Sequence, residues 1–410
     1  HSETKMTKLM ETYNKMHNFD EHINRLGTNS HKYDNQKQLY GLSPQEALPM
    51  WTADMDFRAP KCVVETLNDL STNGIFGYYG GQESYNNAVK EWYQMRHGWS
   101  FRSSSISVVH GLCAGIAIAL RAFSEESDGV IIFTPVYHSF RNIVKQNKRQ
   151  LIEQPMYIKN NEYHIDFEQL ELNMTGNERI MLFCSPHNPG GKVWSYHELN
   201  KVAKFCEKHD LILIADEIHN DLVYKQKKHI VFPIATPKIK HRLVVLVSST
   251  KTFNIAGGLM GNVIIEDLTL QKKFKQAHKA IGTMPNLFGM KIAESVYSHG
   301  HGWLNDLLDY LEKNLLLFDE GISKIPGAKS MKLSATYLAW IDFSDTGLSE
   351  KEIIYRVHKT AGIAASIGST FGKGGETFMR FNLACPRANI LSAVSKLQHA
   401  FNKSSTNSRA

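Results

Sequence analysis

Cysteine is scarce and scattered: Cys62, Cys113, Cys184, Cys206 and Cys385 form no C-x-x-C pair and no even framework. This excludes a disulfide-stapled scaffold and predicts reduced thiols in a cytoplasmic setting. Long apolar runs are missing too. VIIF (130–133) and LILIA (211–215) fall far short of the roughly 20 residues a membrane-spanning helix needs, so no membrane partner is expected. The opening HSETKMTKLMETYNKMHN is polar, lacks the apolar centre of a signal peptide and reads as a trimmed start. No segment repeats, and the one low-complexity stretch is the tail NKSSTNSRA, expected to be disordered. Blocks of like charge are absent as well. The net charge is +7, but the basic residues are spread out and KQKKH (225–229) reads as a solvated turn. With no helix-turn-helix pattern at either end, no nucleic-acid partner is expected. An anionic cofactor or substrate in a basic pocket accounts for the surplus equally well.

What is present is an ordinary globular composition, 42% hydrophobic and 21% charged over 410 residues, enough for one large domain and a smaller one. From about residue 105 to 267, β-branched runs alternate with helix-patterned segments. VIIFTP (130–135), RIMLFCSP (179–186), LILIADE (211–217), LVVLVSST (243–250) and NVIIED (262–267) are the strand candidates. Several are apolar on both faces, as buried parallel strands must be. Leu199, Val202, Ala203, Phe205 and Cys206 recur at helical spacing between two of them. The expected fold is therefore α/β, a mostly parallel central sheet with helices on both faces, followed by a smaller α+β domain. That smaller part carries YLAWIDF (337–343), a helix over 349–362 and the strand-like ETFMRFNLA (376–384). The boundaries expected are an N-terminal arm over 1–60 that contributes to the small domain and the active site, a large domain over 61–295, and a small domain over 296–410.

In an open α/β sheet, ligands bind at the carboxyl ends of the strands. Here polar residues follow nearly every apolar run at that end: Thr134, Pro135 and Tyr137; Ser185 to Asn188; Asp216, Glu217 and His219; Ser248 to Lys251. Taken alone, Lys251 reads as an exposed lysine after a strand. In a pocket with cationic or apolar neighbours it becomes an amine nucleophile able to form an imine with an aldehyde cofactor. Asp216 reads either as a cap or ion-pair half, or as the buried carboxylate that partners a protonated pyridine nitrogen. HGLCAG (110–115) resembles a glycine-permissive loop opening a helix, whose free N–H groups hold a phosphate. Two rivals fail on spacing. GSTFGKG (368–374) imitates a P-loop, but only three residues separate Gly368 from Gly372, and Gly374 follows Lys373 where Ser or Thr belongs. Cys184, His187, Asp216 and His219 have metal-ligand chemistry without standard zinc spacing, so no metal is expected.

Eight stretches in order carry a resemblance: LPMWTADMDFRAP (48–60), GIFGYYG (74–80), RHGW (96–99), FTPVYHSF (133–140), CSPHNPGGKVW (184–194), ADEIHNDLVY (215–224), TKTFNIAGG (250–258) and MRFNLACPR (379–387). Over roughly residues 19–400 the chain resembles fold-type I pyridoxal-phosphate enzymes, and among them the MalY/PatB branch of carbon–sulfur β-lyases. The resemblance implies that Lys251 holds pyridoxal 5'-phosphate as a Schiff base and that Asp216 pairs with its ring nitrogen. Tyr137 would stack on the ring, Asn188 would bond its hydroxyl oxygen, and His219 would stand near that oxygen. Gly111, Leu112 and Ser248 would hold the phosphate, helped by Tyr78 from a second subunit, which implies a homodimer with shared active sites. Arg380 would grip the substrate carboxylate. One position departs: many fold-type I enzymes carry a basic phosphate partner eight residues after the lysine, and here that residue is Leu259. The implied reaction is β-elimination from cystathionine or a related L-cysteine S-conjugate. Transamination of an L-amino acid is the alternative, and a non-catalytic ligand-sensing module ranks behind both, since a binder needs no imine-forming lysine.

Overall fold

The computed structural model describes residues 17–402; the opening stretch read as a start, 1–18, and the tail expected to be disordered, 402–410, lie outside them but for residues 17, 18 and 402. Seven strands form the central sheet: β1 (Ile106–Val109), β2 (Gly129–Thr134), β3 (Gln150–Pro155), β4 (Glu178–Cys184), β5 (Ile212–Asp216), β6 (Leu243–Val247) and β7 (Gly261–Ile264). Their spatial order is β1-β7-β6-β5-β4-β2-β3. β2 and β6 are buried at every position, so their Val/Ile runs bury both faces at once. The expected strands are all there. NVIIED, however, runs antiparallel to both its neighbours, β6 and β1. A parallel return needs a crossover, usually a helix, whereas residues 248–260 contain one short 3-10 turn, so the chain doubles back. The pairs β2–β3, β2–β4, β4–β5 and β5–β6 are parallel.

The helix over Tyr196–Lys208 starts at a capping box, with Ser195 and Glu198 satisfying each other's backbone, and buries Leu199, Val202, Ala203, Phe205 and Cys206. Helices on the two faces make two apolar clusters, one on each side of the sheet. KQKKH corrects the reading of a solvated turn at one residue. Its four preceding residues are exposed, but His229 is buried and pairs with buried Glu217 at 2.7 Å.

A second, antiparallel sheet holds β8 (Lys329–Ser330), β9 (Leu338–Asp342), β10 (Ser366–Ile367) and β11 (Phe378–Asn382), ordered β8-β9-β11-β10. β11 is interior and buried at all five positions, so Arg380 is not on an edge. The helix expected over 349–362 is α-helical only to Tyr355 and ends in a π turn, Arg356–Thr360. The helix Leu287–His299 runs through the boundary expected at 295. The arm segment Leu48–Pro49 pairs in parallel with Ile363–Ala364. Among the described residues no helix is long and apolar enough to cross a membrane, and no three His, Cys, Asp or Glu side chains are grouped to hold a metal.

Candidate active site

The carboxyl ends of β2, β4, β5 and β6 form one rim. Cys184 lies beside Asp216, and Asp216 beside Leu246. The Ser185 N–H donates to Asp216 O and the Glu217 N–H to Leu246 O, both at 2.9 Å, so three strands end at the same level. After β5 the chain turns at once, because the Ile218 N–H bonds Asp216 Oδ1 at 3.1 Å. That turn sorts the polar run. Glu217 looks away, accepting from the Phe232 N–H and His229, and Asp221 accepts from Trp92 Nε1 at 3.0 Å and pairs with His97. Asp216 and His219 stay with Lys251, whose charge acts on both.

Lys251 lies in the turn after β6, and its Nζ donates to Ala53 O at 2.6 Å. The Tyr337 hydroxyl donates to the same carbonyl at 3.1 Å. Burial pushes the Lys251 amine below its ordinary range, and against Arg380, which adds to this, Asp54, Cys113 and Asp216 pull the other way. Burial, with the neighbouring Glu217 charge, lifts Asp216 to about 7 despite the Ile218 N–H and Lys251. Burial and the Lys251 and Arg380 charges push His219 down to about 3, so its imidazole is neutral. The rim thus holds a depressed amine, a carboxyl short of positive partners and a neutral imidazole.

Arg380 is only 3% exposed and makes no ion pair with any carboxylate of the described residues. Its guanidinium donates to Asn188 Oδ1 at 3.1 Å and Trp51 O at 2.8 Å, and it lies 4.9 Å over the Phe371 ring. Nε has no partner, and burial holds the group down to about 10. Tyr137 stands at the start of the helix His138–Gln146, its N–H bonded to Asn188 O at 3.1 Å, with Cys113 and Arg380 acting on its hydroxyl. Arg380, Asn188, Tyr137, Asp216, His219 and Lys251 are thereby brought together.

Gly111 precedes the helix Leu112–Phe123 with φ +85°, a conformation that favours glycine, and a Cβ there would meet nothing within 4 Å. The Leu112 side chain is buried in the apolar cluster behind the sheet, which leaves its backbone at the helix start. Ser248 is engaged within the chain: its hydroxyl donates to Met260 O at 2.6 Å and accepts from the Thr250 N–H at 3.1 Å. Leu259 is exposed with φ +48°. Tyr78 is 93% exposed and touches nothing in the rim of its own chain.

Several residues at the rim escape the sequence reading. Cys113, on the first turn of the helix after Gly111, interacts with Tyr137, Asp216 and Lys251. The Trp51 and Ala53 carbonyls meet Arg380 and Lys251, and Phe371 of GSTFGKG covers the guanidinium. WTADMDF and GSTFGKG carried the only signal; backbone acceptors have no residue signature.

A family model described as aminotransferase class I and II matches residues 48–397. The cystathionine β-lyase PatB of Bacillus subtilis is 37% identical over 93% of this chain and 99% of its own. The MalY protein of Escherichia coli is 28% identical over 94% of this chain and 99% of its own. Cystalysin from Treponema denticola, whose crystal contains pyridoxal 5'-phosphate, superposes with a TM-score of 0.90 at 33% identity, covering 94% of this chain and 98% of its own. A carbon–sulfur lyase from Staphylococcus hominis, crystallised with pyridoxal phosphate and L-cycloserine, gives 0.86 at 30% identity, covering 94% and 98%. With its strand-end rim, its mostly parallel sheet and matches over nearly its whole length, this chain belongs to the class I and II aminotransferase family, of fold type I and on the PatB/MalY cystathionine β-lyase branch.

Proposed function

We propose that this protein is a pyridoxal-phosphate-dependent carbon–sulfur β-lyase that converts cystathionine or a related L-cysteine S-conjugate, with water, into a thiol, pyruvate and ammonia. The observation that carries this reading is the pairing of Lys251 with a buried, carboxylate-free Arg380 across one rim.

The rim fits the cofactor. Buried polar atoms without a partner stand at the strand ends, Thr134 Oγ1, Ser185 Oγ, His219 Nδ1 and Ser249 Oγ, and Arg380 Nε of β11 is another. Asp216 lacks the positive partner that a protonated ring nitrogen supplies. The open space at Gly111, beside the free N–H groups of a 12-residue helix, suits a phosphate. Leu112 would present a backbone N–H there. Ser248 would first have to redirect its hydroxyl from Met260 O, so we assign it to shaping the loop around Thr250 as much as to direct contact. When bound, pyridoxal phosphate supplies an aldehyde for amines and a ring that accepts the electron pair released at Cα.

The chain's own residues do the rest. Lys251 would hold the cofactor and, once free, take the substrate α-proton on Nζ; burial, which lowers its proton affinity, favours the free amine this step needs. Asp216 would hold the ring-nitrogen proton. Asn188 and neutral His219 would take the ring oxygen, and Tyr137 would pack on the ring face. Arg380 would bind the α-carboxylate, orienting the Cα–H bond. No basic side chain stands at Leu259, so the phosphate would rest on backbone and hydroxyl groups.

We also infer a cytoplasmic homodimer with shared sites. All five cysteines are free, and Ile75, Phe76 and Tyr78 are exposed within one four-residue stretch, the Phe76 ring lying 5.4 Å from that of exposed Phe288. We divide the chain into an arm over 1–60, a large unit over 61–295 and a small unit over 296–410, the second boundary falling within the helix Leu287–His299.

The test is an absorbance spectrum with added pyridoxal phosphate, then pyruvate release from cystathionine, with Lys251→Ala as control. A visible band lost in the variant, with pyruvate formed and no 2-oxo acid required, is expected. Amino transfer to a 2-oxo acid without pyruvate would make the protein an aminotransferase; no band would sink the reading.

A further inference from the structure

Segment Trp51–Phe57 is pinned from every side. Its Trp51 and Ala53 carbonyls accept from Arg380 and Lys251, its Thr52 and Asp54 carbonyls both accept from Asn382 Nδ2 at 2.6 Å, and its Met55 and Phe57 carbonyls accept from Asn254 Nδ2. The Met55 N–H bonds Asn254 Oδ1 at 2.9 Å, and the Asp56 N–H bonds Ala384 O. The acids of this segment meet two cations of the N-terminal arm. Arg25 binds Asp54 with two nitrogens, at 3.0 and 2.9 Å, and reaches Asp56 at 2.7 Å. Lys32, fully buried, binds Asp56 at 2.9 Å and lies 3.7 Å from Asp54. A lysine ammonium withdrawn entirely from water needs a reason, since exposed arm residues would serve a tether as well.

We propose that Arg25, Lys32, Asp54 and Asp56 are positioning residues for Lys251: four charges lock the carbonyl of Ala53 against the lysine amine and balance the carboxylate field beside it. This rests on Lys251 being the working amine. The field has a definite sign. Asp54 favours the charged amine, as do Cys113 and Asp216, while Arg380 opposes it, and Tyr337 shares the Ala53 carbonyl. Burial opposes ionisation of Asp54, but the Arg25 hydrogen bond and the Lys32 and Arg25 charges overcome it and keep Asp54 ionised. Arg25 alone, with two nitrogens on Asp54, keeps that carboxylate ionised, so the second effect of Lys32 is the one that counts at Lys251: its positive charge offsets the pair of carboxylates, and removing it leaves two carboxylates to one guanidinium, while removing Asp54 leaves the cations in excess.

The readout is the pH midpoint of Lys251 acetylation by acetic anhydride, followed by mass spectrometry on the full chain stripped of cofactor. Asp54→Asn is expected to lower the midpoint by about one unit and Lys32→Met to raise it by a similar amount. The double variant should return toward wild type, and Lys32→Arg should match it. Shifts of the same sign in both single variants, as general loosening of the arm would produce, or no shift at all, would overturn the proposal. Should Asp54→Asn not fold, Lys32→Met against Lys32→Arg still decides it. Because the probe needs no cofactor, it is separate from the functional reading, which stands or falls on the visible band of the wild-type protein with pyridoxal phosphate.

Discussion

Arg380→Met separates binding chemistry from architecture, because the two effects of the change are opposed in the fold and aligned in the reaction. In the fold, the guanidinium is a buried charge without an acid; its pKa is held to about 10 from 12.5, which corresponds to about 3 kcal/mol against the charged form. Methionine fills a similar volume and removes that penalty. It also strips a donor from Asn188 Oδ1 and from Trp51 O, worth about 1 to 3 kcal/mol each, although Trp51 O keeps the Ser366 hydroxyl at 3.1 Å. These effects nearly cancel, so the melting temperature should move by only about 5 °C either way. In the reaction, two charge-assisted hydrogen bonds to the α-carboxylate vanish, about 3 to 5 kcal/mol together. kcat/KM for pyruvate release should then fall by about a hundred- to several-thousand-fold, with the cofactor band intact. The assays are scanning calorimetry, the absorbance spectrum and pyruvate kinetics on one preparation. A variant that melts far below wild type and loses activity in step would mean that Arg380 is a structural arginine; near-normal kcat/KM would refute the carboxylate role outright.

Asp216→Asn should show itself in the pH dependence of stability of the cofactor-free protein. The folded pKa of about 7 lies above the ordinary carboxyl value of 3.8, so the folded state holds a proton that the unfolded state releases, and stability falls as pH rises from about 4 to 7. The asparagine variant escapes this: equal to wild type below about pH 4, it should be more stable by about 4 kcal/mol above pH 7, by urea titration. A wild-type profile as flat as the variant's would contradict it. Mixing inactive Tyr78→Ala and Lys251→Ala homodimers should restore about a quarter of wild-type activity, since a heterodimer with shared sites gathers both defects in one site and leaves the other whole. No recovery after verified subunit exchange would place Tyr78 outside a shared site.

The strand runs and the Ser195 cap were legible because buried parallel strands and helix starts have local chemistry that periodicity and spacing expose. The rim was legible for the same reason: residues that follow an apolar run leave the sheet at one edge, so the spacing of the runs alone groups Asp216, His219 and Lys251. The motifs of the family carried Arg380, because strand alternation sets it opposite Met379 and Phe381 without saying which of the two faces is covered. What only the tertiary structure decided concerns contacts between parts far apart in the chain. The reversed β7 depended on the length and content of one loop, and the burial of His229 on Glu217 just past the end of β5. The interior place of β11 depended on neighbours at residues 338 and 366. The Ala53 and Trp51 carbonyls, and the buried Lys32 that steadies their segment, belong to no pattern, because a backbone oxygen is the same at every residue and acquires a function only when the fold sets a lysine or an arginine against it.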